Sequence, residues 1–279
     1  MKAIDAEVLA GYNAGIEKDR LRSGLGLIEF ERTKEILGQA LPPAPAVIYD
    51  VGGGYGEYSF WLAECGYDAY LFDISETHID MATERSKGCA CPLKGIEIAD
   101  ARSIGQPSES ADAILLFGPM YHIVEYGERQ LCLGECLRLL KPGGLLFTAA
   151  ITRYATLLWA TAEYGQGNSL LDENAFFEMV EHEIKTGHHI KSPESSYRGM
   201  GRSYFHLPDE LEREIEAAGF VGTDIRGVIG PAWLAPDIDG AWADEARRDS
   251  LMRVARLCEK EGSIMGLSTH LLSVSSKKR

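Results

Sequence analysis

The chain contains 279 residues and is acidic, since 28 lysines and arginines stand against 42 aspartates and glutamates, a formal net charge of −14. With 45% hydrophobic and 25% charged residues, its composition is typical of a globular protein and excludes disorder as the main state. Nucleic-acid binding needs clustered cations to contact the phosphates, and this charge balance disfavours it.

The spacing of the cysteines and the lack of long apolar runs indicate the cellular compartment in which the protein is expected to work. The six cysteines include no C-x-x-C pair, and neither a signal-peptide core nor an apolar run of membrane-spanning length occurs. We therefore expect a reducing, cytoplasmic location and no membrane segment.

A proline-rich stretch at residues 42–45 predicts a boundary between an N-terminal helical cap, residues 1–45, and a main domain, residues 46–279. The main domain begins with a short apolar run at residues 46–51, which predicts a strand buried on both faces of a sheet. Residues 58–65 are compatible with a helix, and Gly66 predicts its end. Together they form a first strand and helix unit.

The alternation of strand and helix repeats along the domain. Further strands are predicted at residues 69–73, 95–100, 113–117, 144–150, 221–228 and 270–274, and helices at residues 130–140 and 208–218. This alternation predicts an α/β fold in which a parallel sheet carries helices on both faces. Two insertions interrupt it, at about residues 152–203 and 231–262, the first interpreted as helical rather than strand. The last five residues are expected to be a solvated end.

A glycine-rich loop, Asp50-Val51-Gly52-Gly53-Gly54-Tyr55-Gly56, lies between the first predicted strand and helix. Ligands of open α/β sheets bind at this edge, and glycines let the backbone approach them closely. A dinucleotide fingerprint, G-x-G-x-x-G, would need a glycine where this chain has Glu57. The loop therefore predicts a ligand site, with an NAD(P) site disfavoured but still open.

Two acidic residues end the next two predicted strands. Asp73 follows the glycine loop by about twenty residues, at the position where a carboxylate accepts hydrogen bonds from ribose hydroxyls. Asp100 is placed to meet the amine of an adenine, and Ala101 leaves room for the ring. Each aspartate can instead cap a turn or a helix. In register with the glycine loop, the two acids favour nucleoside binding.

These features resemble the class I S-adenosylmethionine-dependent methyltransferases. The resemblance covers about residues 46–151, 203–228 and 270–274, and it rests on the glycine loop, Asp73, and segments 98–101, 116–122 and 139–144. It implies a Rossmann-like, seven-stranded, mostly parallel sheet and S-adenosyl-L-methionine as the cofactor. The residues that it assigns to the cofactor site are Gly52, Gly54, Gly56, Asp73 and Asp100, and we expect Asp50, Ile74, Ala101 and Gly118 to belong to the same site.

The acceptor side is predicted at the end of the fourth strand, the edge that faces the transferable methyl group in the resembled family. We expect Tyr121 to orient an acceptor and His122 to act as a base near neutral pH, although a lone histidine also packs or caps a helix. The N-terminal segment and the first insertion are placed to form a lid. The predicted substrate contacts are Tyr12, Arg20, His189, Arg198 and Tyr204. No recognisable ligand spacing favours a metal site.

The sequence thus predicts an S-adenosylmethionine-dependent methyltransferase that acts on a small molecule by direct in-line transfer. An NAD(P)-dependent oxidoreductase and a non-catalytic S-adenosylmethionine-binding protein remain as alternatives. We expect neither a nucleic-acid nor a membrane partner, and a monomer or homodimer.

Overall fold

The computed structural model describes residues 20–279, and a central sheet organises them. The strands are Val47–Val51 (β1), Asp68–Asp73 (β2), Gly95–Ile98 (β3), Ala111–Leu116 (β4), Leu140–Ile151 (β5), His188–His189 (β6), Ser203–Tyr204 (β7), Val221–Gly227 (β8) and His270–Ser276 (β9). Seven of them form one sheet in the order β3-β2-β1-β4-β5-β9-β8. β1 to β5 pair in parallel, and β9 is antiparallel to both neighbours. The predicted seven-stranded, mostly parallel sheet is confirmed.

Helices connect these strands. They are Leu25–Ala40 (α1), Glu57–Glu64 (α2), Glu76–Lys87 (α3), Pro119–His122 (α4), Tyr126–Leu139 (α5), Ala155–Ala162 (α6), Asn174–Thr186 (α7), Pro208–Ala217 (α8), Ile238–Ala243 (α9) and Glu245–Cys258 (α10). Local sequence explains some boundaries, since the Ser75 hydroxyl caps α3 by accepting a hydrogen bond from the His78 N–H at 3.3 Å. Within residues 20–279, no helix is both long and apolar enough to cross a membrane.

Two hydrophobic cores lie on opposite faces of the sheet. Along β1, Tyr49 and Val51 join a core that includes Leu133 of α5, whereas Ile48 joins the other core with Ile36 of α1. Successive side chains of a strand point to opposite faces, so β1 is buried on both sides, as parallel strands usually are. The carboxyl ends of the strands, rather than their faces, are therefore the part of the sheet that is left to meet a ligand.

The first insertion is mainly helical but contains a short strand pair. α6 and α7 pack around a small core of their own that includes Phe176 and Tyr197. β6 pairs antiparallel with β7, with His188 opposite Tyr204. The expectation of helix rather than strand is therefore wrong at β6, because a two-residue strand is too short to show alternation in the sequence. The second insertion holds α9 and α10.

The ends of β5 and β9 extend beyond the predicted strands. The Gly143 N–H donates to the Lys277 carbonyl at 3.1 Å, and the Lys277 N–H donates to the Gly144 carbonyl at 3.0 Å. The tail expected to be solvated therefore begins as strand, and Ser275 is buried within it. Pairing between segments that are distant in sequence lengthens both strands, and local composition does not encode it.

Candidate functional site

A cavity of about 340 Å³ opens at the carboxyl edge of β1 to β4. The segments that follow these four strands meet there, so side chains distant in sequence share one space. Its volume lies within the range of about 300–1,000 Å³ that is usual for small-molecule sites. The predicted site residues that line it are Arg20, Gly52, Gly54, Asp73, Ile74, Asp100, Ala101, Gly118, Tyr121 and His122.

The glycine loop is tightly packed on its inner side. A Cβ at Gly52 would lie 2.6 Å from a proline ring atom, and one at Gly53 would lie 2.5 Å from the carboxyl group of Asp50. Gly52 also has a φ of +76°, which side chains other than glycine rarely adopt. A Cβ at Gly54 would make no contact shorter than 3.8 Å. The loop therefore packs inward through Gly52 and Gly53 and presents Gly54 to the cavity.

Asp73 joins the glycine loop to the helix that follows β2. Its Oδ2 accepts a hydrogen bond from the Gly54 N–H at 2.9 Å, and its Oδ1 accepts one from the Ser75 N–H at 2.8 Å. Nδ1 of His78 lies 3.2 Å from the same Oδ1. Three nitrogen groups therefore hold the carboxylate, which is 7% exposed and borders the cavity. The loop and the acid are direct neighbours.

Asp50 lies beneath the loop, buried, rather than among the residues that line the cavity. Its Oδ2 accepts a hydrogen bond from the Ser59 hydroxyl at 2.6 Å, and its Oδ1 has no hydrogen-bond partner among the described residues. Burial raises the pKa of Asp50 to about 7; the hydrogen bond from Ser59 opposes the rise and the charge of Asp73 adds to it. Asp50 therefore supports the glycine loop from below, through its contact with Ser59, rather than contacting the cavity.

Asp100 is held in its ionised form by an arginine two residues away. Nε and Nη2 of Arg102 donate to its two oxygens at 2.9 and 2.5 Å, and Nη1 donates to Glu128 at 2.6 Å. Burial by itself would raise the pKa of Asp100, but the hydrogen bonds and charge of Arg102 outweigh it and lower that pKa. A fixed negative charge therefore borders the cavity beside Ala101.

The wall after β4 is formed by Gly118 and the one-turn helix α4. Gly118 has a φ of +117°, where the chain turns from the strand into the helix. Tyr121 and His122 both line the cavity, and their ring centroids are 4.6 Å apart. Burial lowers the pKa of His122 to about 4, although the charge of Asp73 opposes the shift. The imidazole is therefore neutral at neutral pH, although the lowered pKa makes it a weaker base than an ordinary histidine.

Sequence and structure comparisons show which known proteins this chain resembles. Residues 48–144 match a sequence model described as a methyltransferase domain. The chain is 26% identical over 206 residues to the ubiquinone biosynthesis O-methyltransferase of Sinorhizobium fredii, covering 72% of each protein. It is 30% identical over 117 residues to phosphoethanolamine N-methyltransferase 1 of Triticum aestivum, covering 41% of this chain and 22% of that protein. A SAM-dependent methyltransferase of Methanosarcina mazei matches with a TM-score of 0.57 and 17% identity, covering 87% of this chain and 97% of that one.

The chain therefore carries a methyltransferase-domain match over residues 48–144, and it is similar in sequence and fold to the class I S-adenosylmethionine-dependent methyltransferases. S-adenosylmethionine is its cofactor, and the residues present fit that molecule. The carboxylates of Asp73 and Asp100 border the cavity next to the glycine loop, an arrangement compatible with the hydroxyl and amine groups of an adenosyl ligand. Glu57, the residue that departs from the dinucleotide fingerprint, begins α2 and lines the cavity, so the oxidoreductase alternative gains no support.

Three predicted substrate contacts of the methyltransferase do not line this cavity. His189 is buried between Oε2 of Glu183, at 2.6 Å, and the Met200 carbonyl, at 3.0 Å. Arg198 is exposed and donates to backbone carbonyls of its own segment. Tyr204 lines a second cavity of about 460 Å³, whose wall also includes His188 of the first insertion and Arg129 of α5. Their places in the structure do not support a contact with the substrate, because each is engaged by partners that the sequence pattern did not reveal.

Other predicted residues are also placed away from the cavity wall. Gly56 packs against Phe60 and is not among the lining residues. Tyr12 lies outside the described residues. Within residues 20–279, no group of three or more histidines, cysteines or acidic residues is arranged to hold a metal ion.

Several side chains of the methyltransferase cavity were not predicted. They are Leu21, Arg22, Tyr55, Glu57, Tyr58, His78, Met81, Arg85, Phe117 and Ile123. For His78 a signal existed, since it lies in the first turn of a helix whose cap, Ser75, is recognisable in sequence. For Arg22 and Arg85 there was none. They approach Glu57 to 2.9 and 3.2 Å from two different elements, a contact made only by the fold.

The wall that carries His122 is anchored from behind by the buried Arg129 of α5. Its Nη1 donates to the carbonyls of Ile123 and Val124 at 3.1 and 2.7 Å, and its Nε donates to Glu214 of α8 at 2.7 Å. Arg129 is 2% exposed. A buried ion pair between two helices therefore fixes the backbone that directly follows His122.

Proposed function

We propose that the methyltransferase transfers a methyl group to a phenolic or enolic hydroxyl of a small molecule, with His122 as the general base. The observation that carries this proposal is the neutral imidazole of His122 in the cavity wall beside Tyr121. A neutral imidazole removes a proton from a hydroxyl as the oxygen attacks. A phenol, with a pKa of about 10, is far easier to deprotonate than an aliphatic alcohol.

The composition of the wall favours an oxygen acceptor over a protonated amine. An ammonium group is best held by carboxylates, and residues 117–123, Phe-Gly-Pro-Met-Tyr-His-Ile, contain none. Glu57, the carboxylate of the lining that is not assigned to the cofactor, is paired with Arg22 and Arg85. The similarity to an O-methyltransferase extends over 72% of this chain, whereas that to an N-methyltransferase extends over 41%. Both comparisons support a small-molecule acceptor, and the longer one supports oxygen as the methylated atom.

When bound, S-adenosylmethionine supplies a methyl carbon on a positively charged sulfur, open to in-line attack. In this proposal the glycine loop, Asp73 and Asp100 hold the adenosyl part at the ends of β1 to β3. Tyr121 orients the acceptor hydroxyl, and an imidazole nitrogen of His122 takes its proton. Apolar lining residues such as Phe117 and Ile123 keep water from the reacting oxygen.

The proposal extends to partners and location. A net charge of −14 disfavours a nucleic-acid acceptor, and the similarity to an O-methyltransferase of ubiquinone biosynthesis supports a small molecule as the acceptor class. We further propose that the protein works in the cytoplasm as a monomer or homodimer.

The test is a transfer assay with methyl-labelled S-adenosylmethionine and two kinds of acceptor. Catechol, pyrogallol and 3,4-dihydroxybenzoate offer phenolic oxygens, and phosphoethanolamine offers an amine. We expect label in at least one phenol ether, with matching formation of S-adenosylhomocysteine, and none in phosphoethanolamine. Label on the amine alone would contradict the oxygen acceptor. Binding of S-adenosylhomocysteine without transfer to any acceptor would favour a non-catalytic binding protein.

A further inference from the structure

We propose that His78 is a positioning residue of the cofactor site, which holds Asp73 and the glycine loop in the arrangement that binds the adenosyl group. The proposal rests on the binding of S-adenosylmethionine and is independent of the acceptor. It concerns how two separate cofactor-binding elements are kept together.

His78 contacts both elements at once. Its Nδ1 lies 3.2 Å from Oδ1 of Asp73, and its ring packs against Tyr55 of the glycine loop with centroids 4.4 Å apart. The side chain is 2% exposed and still forms part of the cavity wall. The ring therefore fills the space between the loop that follows β1 and the acid that ends β2.

The start of α3 fixes the direction of the His78 side chain. The Ser75 hydroxyl accepts a hydrogen bond from the His78 N–H at 3.3 Å, and the Ser75 N–H donates to Oδ1 of Asp73 at 2.8 Å. Asp73 at the end of β2, Ser75 at the helix cap and His78 in the first turn of α3 therefore each contact the other two. A rigid helix terminus holds the ring more firmly than a loop would.

The donor pattern around Asp73 determines which nitrogen of His78 carries a proton. Both oxygens of Asp73 accept from backbone N–H groups, Oδ2 from Gly54 and Oδ1 from Ser75. The carboxylate therefore acts as an acceptor, and Nδ1 of His78 must donate to it. Hydrogen bonds to a charged group are stronger than those between neutral groups, so loss of this donor is expected to weaken a site that depends on Asp73 about tenfold or more.

Two substitutions separate a positioning role from simple packing. His78→Asn keeps an amide donor near the place of Nδ1, whereas His78→Leu keeps bulk and removes the donor. His182→Leu, at an exposed position on α7, is the matched control. In calorimetric titrations with S-adenosylhomocysteine, we expect His78→Leu to bind at least about tenfold more weakly than wild type. His78→Asn should bind within about threefold, and His182→Leu should match wild type.

A second measurement does not depend on any variant folding. Nitrogen-15 NMR of the imidazole in the wild-type protein is expected to show His78 protonated at Nδ1. Wild-type affinity for His78→Leu, equal weakening of His78→Asn and His78→Leu, or an unprotonated Nδ1 would each overturn the proposal. Wild-type protein that binds S-adenosylhomocysteine but methylates no phenol would count against the proposed acceptor and leave the role of His78 standing.

Discussion

The cavity has a cofactor half, which contains the glycine loop, Asp73 and Asp100, and an acceptor half, which contains residues 117–123. The two halves are held together in different ways. On the cofactor half, the contact between Gly54 and Asp73 joins residues 19 positions apart, and Asp100 is held by Arg102, two positions away. On the acceptor half, the backbone behind His122 depends on Arg129, whose partner Glu214 is 85 positions away. The cofactor half is therefore built from consecutive strand ends, whereas the acceptor half depends on the packing of a distant helix.

The largest expected effect tests the anchoring of the acceptor half. Arg129→Met leaves Glu214 buried without its charged partner, and a broken buried pair costs about 3–5 kcal/mol in the free energy of unfolding. Chemical denaturation measures this. The control, Arg213→Met, removes an exposed pair with Asp209 on the same helix as Glu214 and should change stability by less than about 1 kcal/mol. Equal stability of the two variants would show that Arg129 does not anchor the wall.

The next effect concerns catalysis on the acceptor half. His122→Gln keeps polarity in the wall but removes the base, so kcat/KM with a phenol is expected to fall at least about 100-fold. Affinity for S-adenosylhomocysteine should stay within about threefold, since the two halves are built separately. His182→Gln, an exposed histidine on α7, is the control. A loss of cofactor affinity as large as the loss of rate would mean that His122 belongs to the cofactor half.

A smaller effect is expected on the cofactor half. Asp73→Ala removes an acceptor for ribose hydroxyls and releases the Gly54 N–H, so affinity for S-adenosylhomocysteine should fall at least about tenfold. Asp80→Ala, exposed on the following helix, should leave affinity unchanged. Calorimetry compares the two variants. Equal affinity of Asp73→Ala and wild type would remove this carboxylate from the site.

The smallest effect is a pH dependence. Burial lowers the pKa of His122 from 6.5 to about 4, so the neutral base persists as the pH falls from 8 to 6. We expect kcat/KM to drop by less than about twofold over that interval, whereas a base with an ordinary histidine pKa would lose about fourfold. The same shift makes His122 stabilise the fold fully above about pH 6.5, with this contribution lost as the pH falls toward 4. A fourfold loss of kcat/KM by pH 6 would place the titrating group elsewhere.

The difference between the halves also explains which features the sequence predicted. β2, expected at residues 69–73, spans Asp68–Asp73, because a short apolar run closed by an acid is a local signal. The glycine loop, Asp73 and Asp100 follow successive strands, so their convergence at one edge is a consequence of parallel topology. The cofactor-side candidates therefore followed from local patterns, whereas the fold class needed the strand and helix alternation of the whole domain and the cofactor was implied by the family resemblance.

Long-range partners account for what the sequence did not reveal. His189 was expected near the substrate, but the fold buries it against Glu183 and a backbone carbonyl. Arg129 carried no signal, since it precedes the predicted helix 130–140, arginines are usually exposed, and its partner Glu214 lies on another helix. Burial of a charge depends on the assembled tertiary structure, and a pattern of neighbouring residues does not contain it.

The central claim is that the glycine loop and Asp73 together bind the adenosyl part of the cofactor. An NMR titration of wild-type protein with S-adenosylhomocysteine tests it residue by residue. We expect the largest changes at the amides of Gly54 and Ser75, which donate to Asp73, and none at Gly134 on α5. If the largest changes instead appear around His188 and the second cavity while the glycine loop stays unchanged, the account is contradicted.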